Sequence, residues 1–351
     1  MNSKNIQRRL FDWYNVHKRE LPWRNTKDPY LIWISEIILQ QTRVDQGMGY
    51  YLRFVDRFPT VDSLANEAES EVLRYWQGLG YYSRARNIYS AAKMIMSDFG
   101  GVFPKTYEEV KCLKGVGDYT AAAICSFAYG LPYAVVDGNV YRVLSRLFGV
   151  SEPIDSGKGK KIFAELAQEL LSNTNPGDHN QAMMEFGAMQ CVPRNPDCTN
   201  CVLNDKCVAF ATDVVSDLPV KIGKTVVKNR YFNYFIIRFN DSIYLQKREA
   251  NDIWRNLYEL PLIETEEFMD LDNLIETDEF NSIFSGIEKA DIDLVVDNFV
   301  HILSHRRIMT TCYMVEVSSE NEFLANCVKV SRSNIEDYAV SRLTQILLDY
   351  L

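Results

Sequence analysis

The sequence predicts a mainly α-helical N-terminal domain followed by a smaller α/β domain. The chain has 351 residues, more than one hydrophobic core usually serves, so two domains are expected. Apolar residues recur at helical spacing from Ile6 to about Phe210. Short β-branched and aromatic runs such as YFNYFIIRF and MTTCYMVEV then take over, and residues 334–350 return to helical spacing.

Capping signals locate individual helices in the first part. Asp28 followed by Pro29 is typical of a helix start, and the pattern that follows predicts a helix through about Gln41. Thr106 and Glu109 have the spacing of a capping box, which predicts a second helix start.

The domain boundary falls in the segment ATDVVSDLPVKIGKTVVKNR, whose proline, glycine and scattered lysines show little periodicity. The sequence therefore predicts a helical domain at 1–212, a linker at 213–229 and an α/β domain at 230–351.

Charge is distributed unevenly between the two parts. Residues 1–225 carry 26 Lys and Arg against 25 Asp and Glu, whereas residues 226–351 carry 12 against 22. Eleven of those acids lie between Glu264 and Asp293. The net charge of −9 thus belongs to the second domain, and a polyanionic ligand for the first domain is not excluded.

Four cysteines form the pattern C-x6-C-x2-C-x5-C, namely Cys191, Cys198, Cys201 and Cys207. Four thiolates within so short a segment are what a tetrahedral metal ion or a cubane cluster requires. Structural zinc is the main alternative, although only Cys198 and Cys201 form a close pair and the segment contains no histidine. The other four cysteines lie in apolar contexts that indicate core positions: Cys112, Cys125, Cys312 and Cys327.

The segment VKCLKGVGDYTAAAI has the pattern of two helices joined by a glycine-bounded turn. Gly115 and Gly117 permit close approach to the backbone, and the second helix offers its N-terminal amides to a phosphate. Similar turns also join helices that bind nothing. Together with the cysteine segment, however, this pattern resembles the helix-hairpin-helix DNA glycosylases of the endonuclease III superfamily. The resemblance implies DNA-backbone contacts at Lys114, Gly115 and Gly117, and a [4Fe-4S] cluster on the four cysteines.

Two carboxylates suit glycosidic bond cleavage. Asp137 precedes a helix that begins near Asn139, where the helix N-terminus and the Asn139 side chain should keep the carboxylate ionised beside a cationic sugar. Whether it acts by charge alone or through a transient bond stays open, and a plain helix cap is also compatible. Glu36 lies among isoleucines that should raise its pKa by desolvation, as a general acid requires.

The string WISEIILQQTR resembles the corresponding segment of the MutY-type adenine DNA glycosylases. That resemblance gives Glu36 the role of protonating adenine and gives Gln41 the role of a wedge in the duplex. Bifunctional relatives have a lysine where this chain has Tyr119, so a monofunctional hydrolase with a catalytic-pocket tyrosine is implied.

Three further segments extend the resemblance: LPWR, GLGYYSRARN and MMEFGAMQC. They imply that Trp23 and Arg24 lie near the extruded adenine, that Tyr82 inserts beside 8-oxoguanine, and that Glu185 contacts the adenine edge. An extruded base needs such an aromatic and hydrogen-bonding pocket, with wedges filling the gap it leaves.

The second domain resembles the Nudix-like domain by which MutY proteins read 8-oxoguanine, through NDIWRNLYELP and HILSHRR. Leu303 stands where the family commonly has phenylalanine, which leaves Ser304 as the hydrogen-bonding candidate. The glutamate-rich helix of Nudix hydrolases is missing from the sequence, so nucleotide hydrolysis is disfavoured.

The predicted partner is double-stranded DNA with adenine opposite 8-oxoguanine or guanine. No stretch approaches the roughly 18 unbroken apolar residues of a membrane helix, so we expect a protein of the cytoplasm, associated with the nucleoid. We also expect the protein to be a monomer. Two rival hypotheses are a glycosylase-lyase for oxidised pyrimidines, which Tyr119 disfavours, and a non-catalytic DNA-damage binder, which the pair Glu36 and Asp137 disfavours.

Overall fold

The computed structural model of the protein describes residues 3–223, 227–249, 251–287 and 289–351. The chain forms two compact units. The first unit comprises residues up to Asn66 together with Asn87–Gly223, and the second comprises Glu67–Arg86 together with residues from 224 to Leu351. The predicted fold class is confirmed, because the N-terminal part is helical and the C-terminal part contains a mixed sheet.

Helices account for the regular structure of the N-terminal part. In chain order they are α1 (Ser3–His17), α2 (Pro29–Leu39), α3 (Val44–Arg57), α4 (Val61–Ala65), α5 (Glu69–Trp76), α6 (Ser83–Asp98), α7 (Tyr107–Cys112), α8 (Asp118–Tyr129), α9 (Gly138–Phe148), α10 (Gly157–Leu170), α11 (Pro176–Met189) and α12 (Val208–Ala211). In the described part of the chain, none of the helices combines the length and apolar character needed to cross a membrane.

The predicted helix starts are confirmed by their caps. The Asp28 side chain accepts a hydrogen bond from the Tyr30 amide, with proline at the first helical position of α2. Thr106 and Glu109 form the expected reciprocal capping box at the start of α7. Satisfying these otherwise unpaired amides fixes where each helix begins.

One hydrophobic cluster of the first unit forms where α1, α9, α10 and α11 pack together. Val140, Val143, Leu144 and Leu147 recur at helical spacing on α9 and are all buried in this cluster. Opposite α9, the ring of Phe186 on α11 meets Trp13 edge to face at 5.0 Å. This packing fixes the N-terminus of α9 beside α11.

Seven strands of the second unit form one mixed sheet in the order β3-β2-β1-β6-β5, with β4 paired to β1 and β7 paired to β2. The strands are β1 (Lys228–Phe239), β2 (Ser242–Lys247), β3 (Tyr258–Glu259), β4 (Leu262–Thr265), β5 (Ala290–Ile302), β6 (Arg306–Val317) and β7 (Val328–Ser331). The accompanying helices are α13 (Leu271–Leu274), α14 (Asp278–Phe284), α15 (Glu322–Asn326) and α16 (Arg342–Leu348).

The central strand β1 is buried on both faces. Phe232, Tyr234 and Ile236 pack into the cluster that includes Leu343 and Leu347 of α16, whereas Phe235 and Ile237 pack into the cluster that includes α14. Alternation of side chains along the strand produces these two layers.

The predicted linker 213–229 is held to the first unit as far as Gly223. The Asp155 carboxylate accepts hydrogen bonds from the backbone amides of Ile222 and Gly223, and the Ile154 amide donates to the Val220 carbonyl. Residues 224–226 lie outside the described residues, and β1 begins at Lys228.

The turn between α7 and α8 requires glycine at one position. Gly115 has a φ of +79°, and a Cβ added there would lie 2.6 Å from the Cβ of Asn87, whereas a Cβ on Gly117 would meet no atom within 4 Å. We expect Gly115→Ala to lower the free energy of unfolding by about 1–3 kcal/mol in urea titrations, because it combines backbone strain with overpacking. Gly117→Ala is the control and should change stability little; equal losses would contradict the interpretation.

Candidate functional site

A cavity of about 550 Å³ in the first unit collects most of the predicted catalytic and base-binding residues. It is bordered by the 3₁₀ turn Pro22–Arg24 and by α2, α8, α9 and α11. The predicted residues that line it are Trp23, Arg24, Glu36, Tyr119, Asp137, Asn139 and Glu185. Residues far apart in sequence therefore share one pocket.

Glu36 is a buried carboxyl on α2. Its pKa is raised to about 7, chiefly by burial, while a hydrogen bond from Tyr119 opposes the shift and the nearby Asp137 carboxylate adds to it. The Tyr119 hydroxyl donates to Glu36 Oε2 over 2.8 Å. Burial also raises the pKa of Tyr119 well above its ordinary value, so this hydroxyl remains a donor.

Asp137 is the N-cap of α9. Its Oδ1 accepts from the Val140 amide at 2.7 Å, and its Oδ2 accepts from the Asn139 side chain at 2.9 Å. We expected these bonds to keep the carboxylate ionised. They do favour the charged form, but burial outweighs them and raises the pKa of Asp137.

Glu185 on α11 is buried and its two oxygens accept five hydrogen bonds from Arg19 and Arg24. Burial alone would raise its pKa, but the two arginines lower it to about 2. Both oxygens are therefore engaged by arginines. The sequence singled out Glu185 and Arg24 but missed Arg19, which sits in an unremarkable polar stretch after α1.

Of two further predicted residues, Trp23 lines this pocket and Gln41 lies outside it. Trp23 is buried and meets the Tyr51 ring edge to face, with 5.2 Å between ring centroids. Gln41 is exposed beyond the end of α2 and has a φ of +56°, a left-handed conformation uncommon for a residue with a side chain. It does not line the cavity, and its side chain is open to a ligand outside it.

The four predicted cysteines line one small cavity of about 30 Å³ between α9, α11 and the loop that follows. All four are free thiols. The pKa values of Cys198, Cys201 and Cys207 are raised by burial first, and neighbouring cysteines contribute to each shift. Among the residues described, no three His, Cys, Asp or Glu side chains are arranged to hold a metal ion.

Two arginines that the sequence did not reveal link α9 to the cysteine cavity. Arg142 donates to Asn139 Oδ1 at 2.9 Å and to the Cys191 carbonyl at 2.7 Å. Arg146, four residues later, is buried and lies 3.5 Å from Cys191 Sγ. The four-residue spacing between Arg142 and Arg146 is a signal that the sequence does carry, because i and i+4 positions share a helix face.

The remaining predicted contacts lie elsewhere. Lys114, Gly115 and Gly117 are exposed at the turn before α8, whose N-terminus has no side-chain cap. In the second unit, Ser304 is exposed and hydrogen-bonds the Tyr81 hydroxyl. Tyr82 is buried and donates to the Val340 carbonyl, whereas its neighbour Tyr81 is 41% exposed.

Two protein-family models match parts of the chain. Residues 34–171 match the HhH-GPD superfamily of base excision DNA repair proteins, and residues 233–350 match the NUDIX domain. The fold and the carboxylate pocket thus define a DNA N-glycosylase of the helix-hairpin-helix class.

Individual proteins that are similar to this chain indicate which family of DNA glycosylases it belongs to. An adenine DNA glycosylase of Buchnera aphidicola subsp. Baizongia pistaciae is 34% identical over 303 residues, covering 84% of this chain and 82% of that protein. The Arabidopsis thaliana adenine DNA glycosylase is 31% identical, covering 92% of this chain and 59% of that protein. A thermostable thymine-DNA glycosylase structure superposes with a TM-score of 0.56 at 31% identity, covering 60% of this chain and 97% of that one. The chain belongs to the adenine DNA glycosylase family.

Glu36 should titrate near pH 7, and Tyr119→Phe should move that titration to higher pH because the lost hydrogen bond favours the ionised form. NMR titration of side-chain ¹³C-labelled glutamate would measure both. Tyr129→Phe, on the same helix but outside the cavity, is the control and should leave the Glu36 titration in place. A downward shift in Tyr119→Phe would contradict the assigned hydrogen bond.

Proposed function

We propose that this protein removes adenine from duplex DNA where adenine is mispaired with 8-oxoguanine or guanine, by hydrolysis and without strand cleavage. The observation that carries the proposal is that Glu36 and Asp137 line one cavity together with Tyr119. Membership of the adenine DNA glycosylase family supports adenine as the excised base.

Glu36 is the general acid in this proposal. With a pKa of about 7, a substantial fraction of the carboxyl carries its proton at neutral pH, as transfer to a leaving group requires. The proton goes to a ring nitrogen of adenine as the bond to the sugar breaks. The Glu36 carboxylate then takes a proton from the water that attacks the sugar, so the acid is regenerated.

Asp137 stabilises the cationic sugar formed when adenine leaves. Its bonds to the Val140 amide and the Asn139 side chain hold the carboxylate in place and favour its charged form. A positive sugar beside it would favour ionisation further, against the desolvation that raises its pKa in the free protein. Stabilisation by charge and formation of a transient bond both require this placement.

Strand cleavage by these enzymes needs an amine nucleophile in the pocket. None of the described residues that line the cavity is a lysine. Tyr119 stays protonated and hydrogen-bonded to Glu36, so it offers no nucleophile. We therefore propose a monofunctional enzyme.

Base binding is assigned to the aromatic and cationic wall of the cavity. Trp23 supplies an aromatic surface, and Arg24 lies on the same wall. Because Glu185 is engaged by Arg19 and Arg24, we propose that it acts on adenine by holding these guanidinium groups. Gln41, exposed with a left-handed backbone, is the proposed wedge, and the turn at Lys114, Gly115 and Gly117 is the proposed DNA-backbone contact.

Cys191, Cys198, Cys201 and Cys207 are the proposed ligands of a [4Fe-4S] cluster. They surround one cavity, and four thiolates on one short segment are the ligand set that such a cluster requires. A bound cluster would cross-link the loop through four iron–sulfur bonds. Arg146 would offset the negative charge of the thiolates.

Recognition of the opposite base is assigned to a cavity of about 540 Å³ in the second unit. Tyr81, Tyr82, Trp254 and Ser304 line it. Tyr81 and Ser304 are exposed, so a base can reach them without rearrangement, whereas Tyr82 must first break its bond to Val340. The cavity's serine and aromatic rings suit an oxidised purine, which offers both polar edges and a stacking face.

Glu36→Gln should abolish adenine release in single-turnover assays on a duplex with adenine opposite 8-oxoguanine, because the amide cannot donate the acid proton. We expect a loss of at least about 100-fold, the usual contribution of general acid catalysis. Wild-type product should break only after alkali. Glu165→Gln, an exposed position on α10, is the control.

Two other outcomes would support the two rival hypotheses about function. Strand breaks without alkali would indicate a glycosylase-lyase. Tight binding of the mispair without release of adenine by the wild type would indicate a damage-binding protein.

The cluster is tested by metal analysis of protein purified without oxygen. We expect about four iron atoms and four acid-labile sulfides per chain, lost together in Cys198→Ser because the cluster requires four thiolates. Cys112, which the sequence predicted to be a core cysteine, is instead exposed and lies away from the cavity, so Cys112→Ser should retain them. One zinc ion per chain instead of iron would overturn the assignment.

A further inference from the structure

A network of three arginines and three carboxylates lies beside the opposite-base cavity of the second unit. Its members are Arg230, Arg248, Arg306, Asp252, Glu259 and Glu264. Their formal charges cancel. Most are substantially buried, with side-chain exposure of 9% for Arg248 and 6% for Glu259. In such surroundings, each charge depends on its partners for solvation.

Asp252 is the centre of this network. Its Oδ2 pairs with Arg230 and, at 3.0 Å, with Arg248, while its Oδ1 lies 3.3 Å from Arg306. No other carboxylate among the network's six members pairs with all three arginines in the described residues. Asp252 and Arg306 also line the cavity, whereas Glu259 and Glu264 do not.

Through Arg306, Asp252 reaches the turn that carries Ser304. The turn joins β5 to β6 and is closed by a hydrogen bond from the Leu303 amide to the Arg306 carbonyl, at 2.8 Å. Ser304 lies between these two residues and bonds the Tyr81 hydroxyl. The contacts therefore run from Asp252 through Arg306 and Ser304 to Tyr81.

Asp252 also belongs to a second segment that lines the same cavity, residues 251–254. It starts a loop in which Trp254 and Asn256 both have positive φ, at +59° and +66°. Arg248 holds this loop through bonds with the Ile253 carbonyl and, backbone to backbone, with Leu257. Strained backbone of this kind persists only where surrounding contacts determine it, and it gathers at ligand sites.

We propose that Asp252 is a positioning residue for recognition of the base opposite adenine. It fixes the Trp254 loop and the Ser304 turn at the separation that an oxidised purine requires. The inference rests on the proposed function, since it assigns a role within the same recognition cavity. Asp252 itself does not contact the base.

The test compares Asp252→Asn with the matched variant Glu264→Gln. Each removes one carboxylate charge from the same arginine network, but Glu264 lies outside the cavity. Single-turnover rates would be measured with adenine opposite 8-oxoguanine and opposite guanine, alongside thermal melts of each variant. We expect the ratio of the two rates to fall about tenfold in Asp252→Asn, as loss of a charged hydrogen-bond partner would cause. In Glu264→Gln the ratio should stay within about twofold of wild type.

A second comparison separates positioning from general stability. Arg306→Gln breaks the link to the Ser304 turn, and the double variant Asp252→Asn/Arg306→Gln should have the same ratio as Asp252→Asn alone, because Arg306 acts on the turn through its contact with Asp252. Losses that multiply would overturn the proposal, as would equal ratio losses in Asp252→Asn and Glu264→Gln. If wild type shows no preference for 8-oxoguanine, the proposed function itself fails, and that result is distinct from any variant effect.

Discussion

Close packing of helix α9 against α11 is the contact on which the catalytic geometry depends. A Cβ added to Gly187 on α11 would lie 2.7 Å from the Asn139 Cβ, so only glycine permits this approach. With α9 in place, its N-cap Asp137 faces the cavity and Asn139 supports it. Arg142 and Arg146 extend from the same helix to Cys191. One helix therefore carries the proposed catalytic carboxylate and the contacts to the cysteine loop.

The same cavity holds two glutamates with opposite properties because their neighbours differ. Glu36 is buried and receives one hydrogen bond from the neutral Tyr119 hydroxyl, so burial dominates and its pKa is about 7. Glu185 is equally buried but is paired with two guanidinium groups, and its pKa is about 2. Separating the two in this way allows one carboxyl to transfer a proton while the other holds cations.

The second unit uses charge differently. The network around Asp252 keeps charges of both signs beside a cavity. A network of this kind favours one conformation of loops that would otherwise adopt several. It also explains why the Trp254 loop can keep two residues with side chains in the left-handed region.

Sequence by itself determined the fold class, the helix caps at Asp28 and Thr106, the cysteine segment and the choice of Glu36 and Asp137, since each rests on local spacing or residue type. Only the tertiary structure decided what depends on contacts between distant segments. The structure shows the contacts of Arg19, Arg142 and Arg146 with the candidate site and the cysteine segment. It also shows that burial raises the pKa of Asp137, and that Tyr82 is buried whereas Tyr81 is exposed. The linker is hydrogen-bonded to Asp155 through the Gly223 amide. Desolvation and long-range hydrogen bonds are properties of packing, and periodicity along the chain does not encode them.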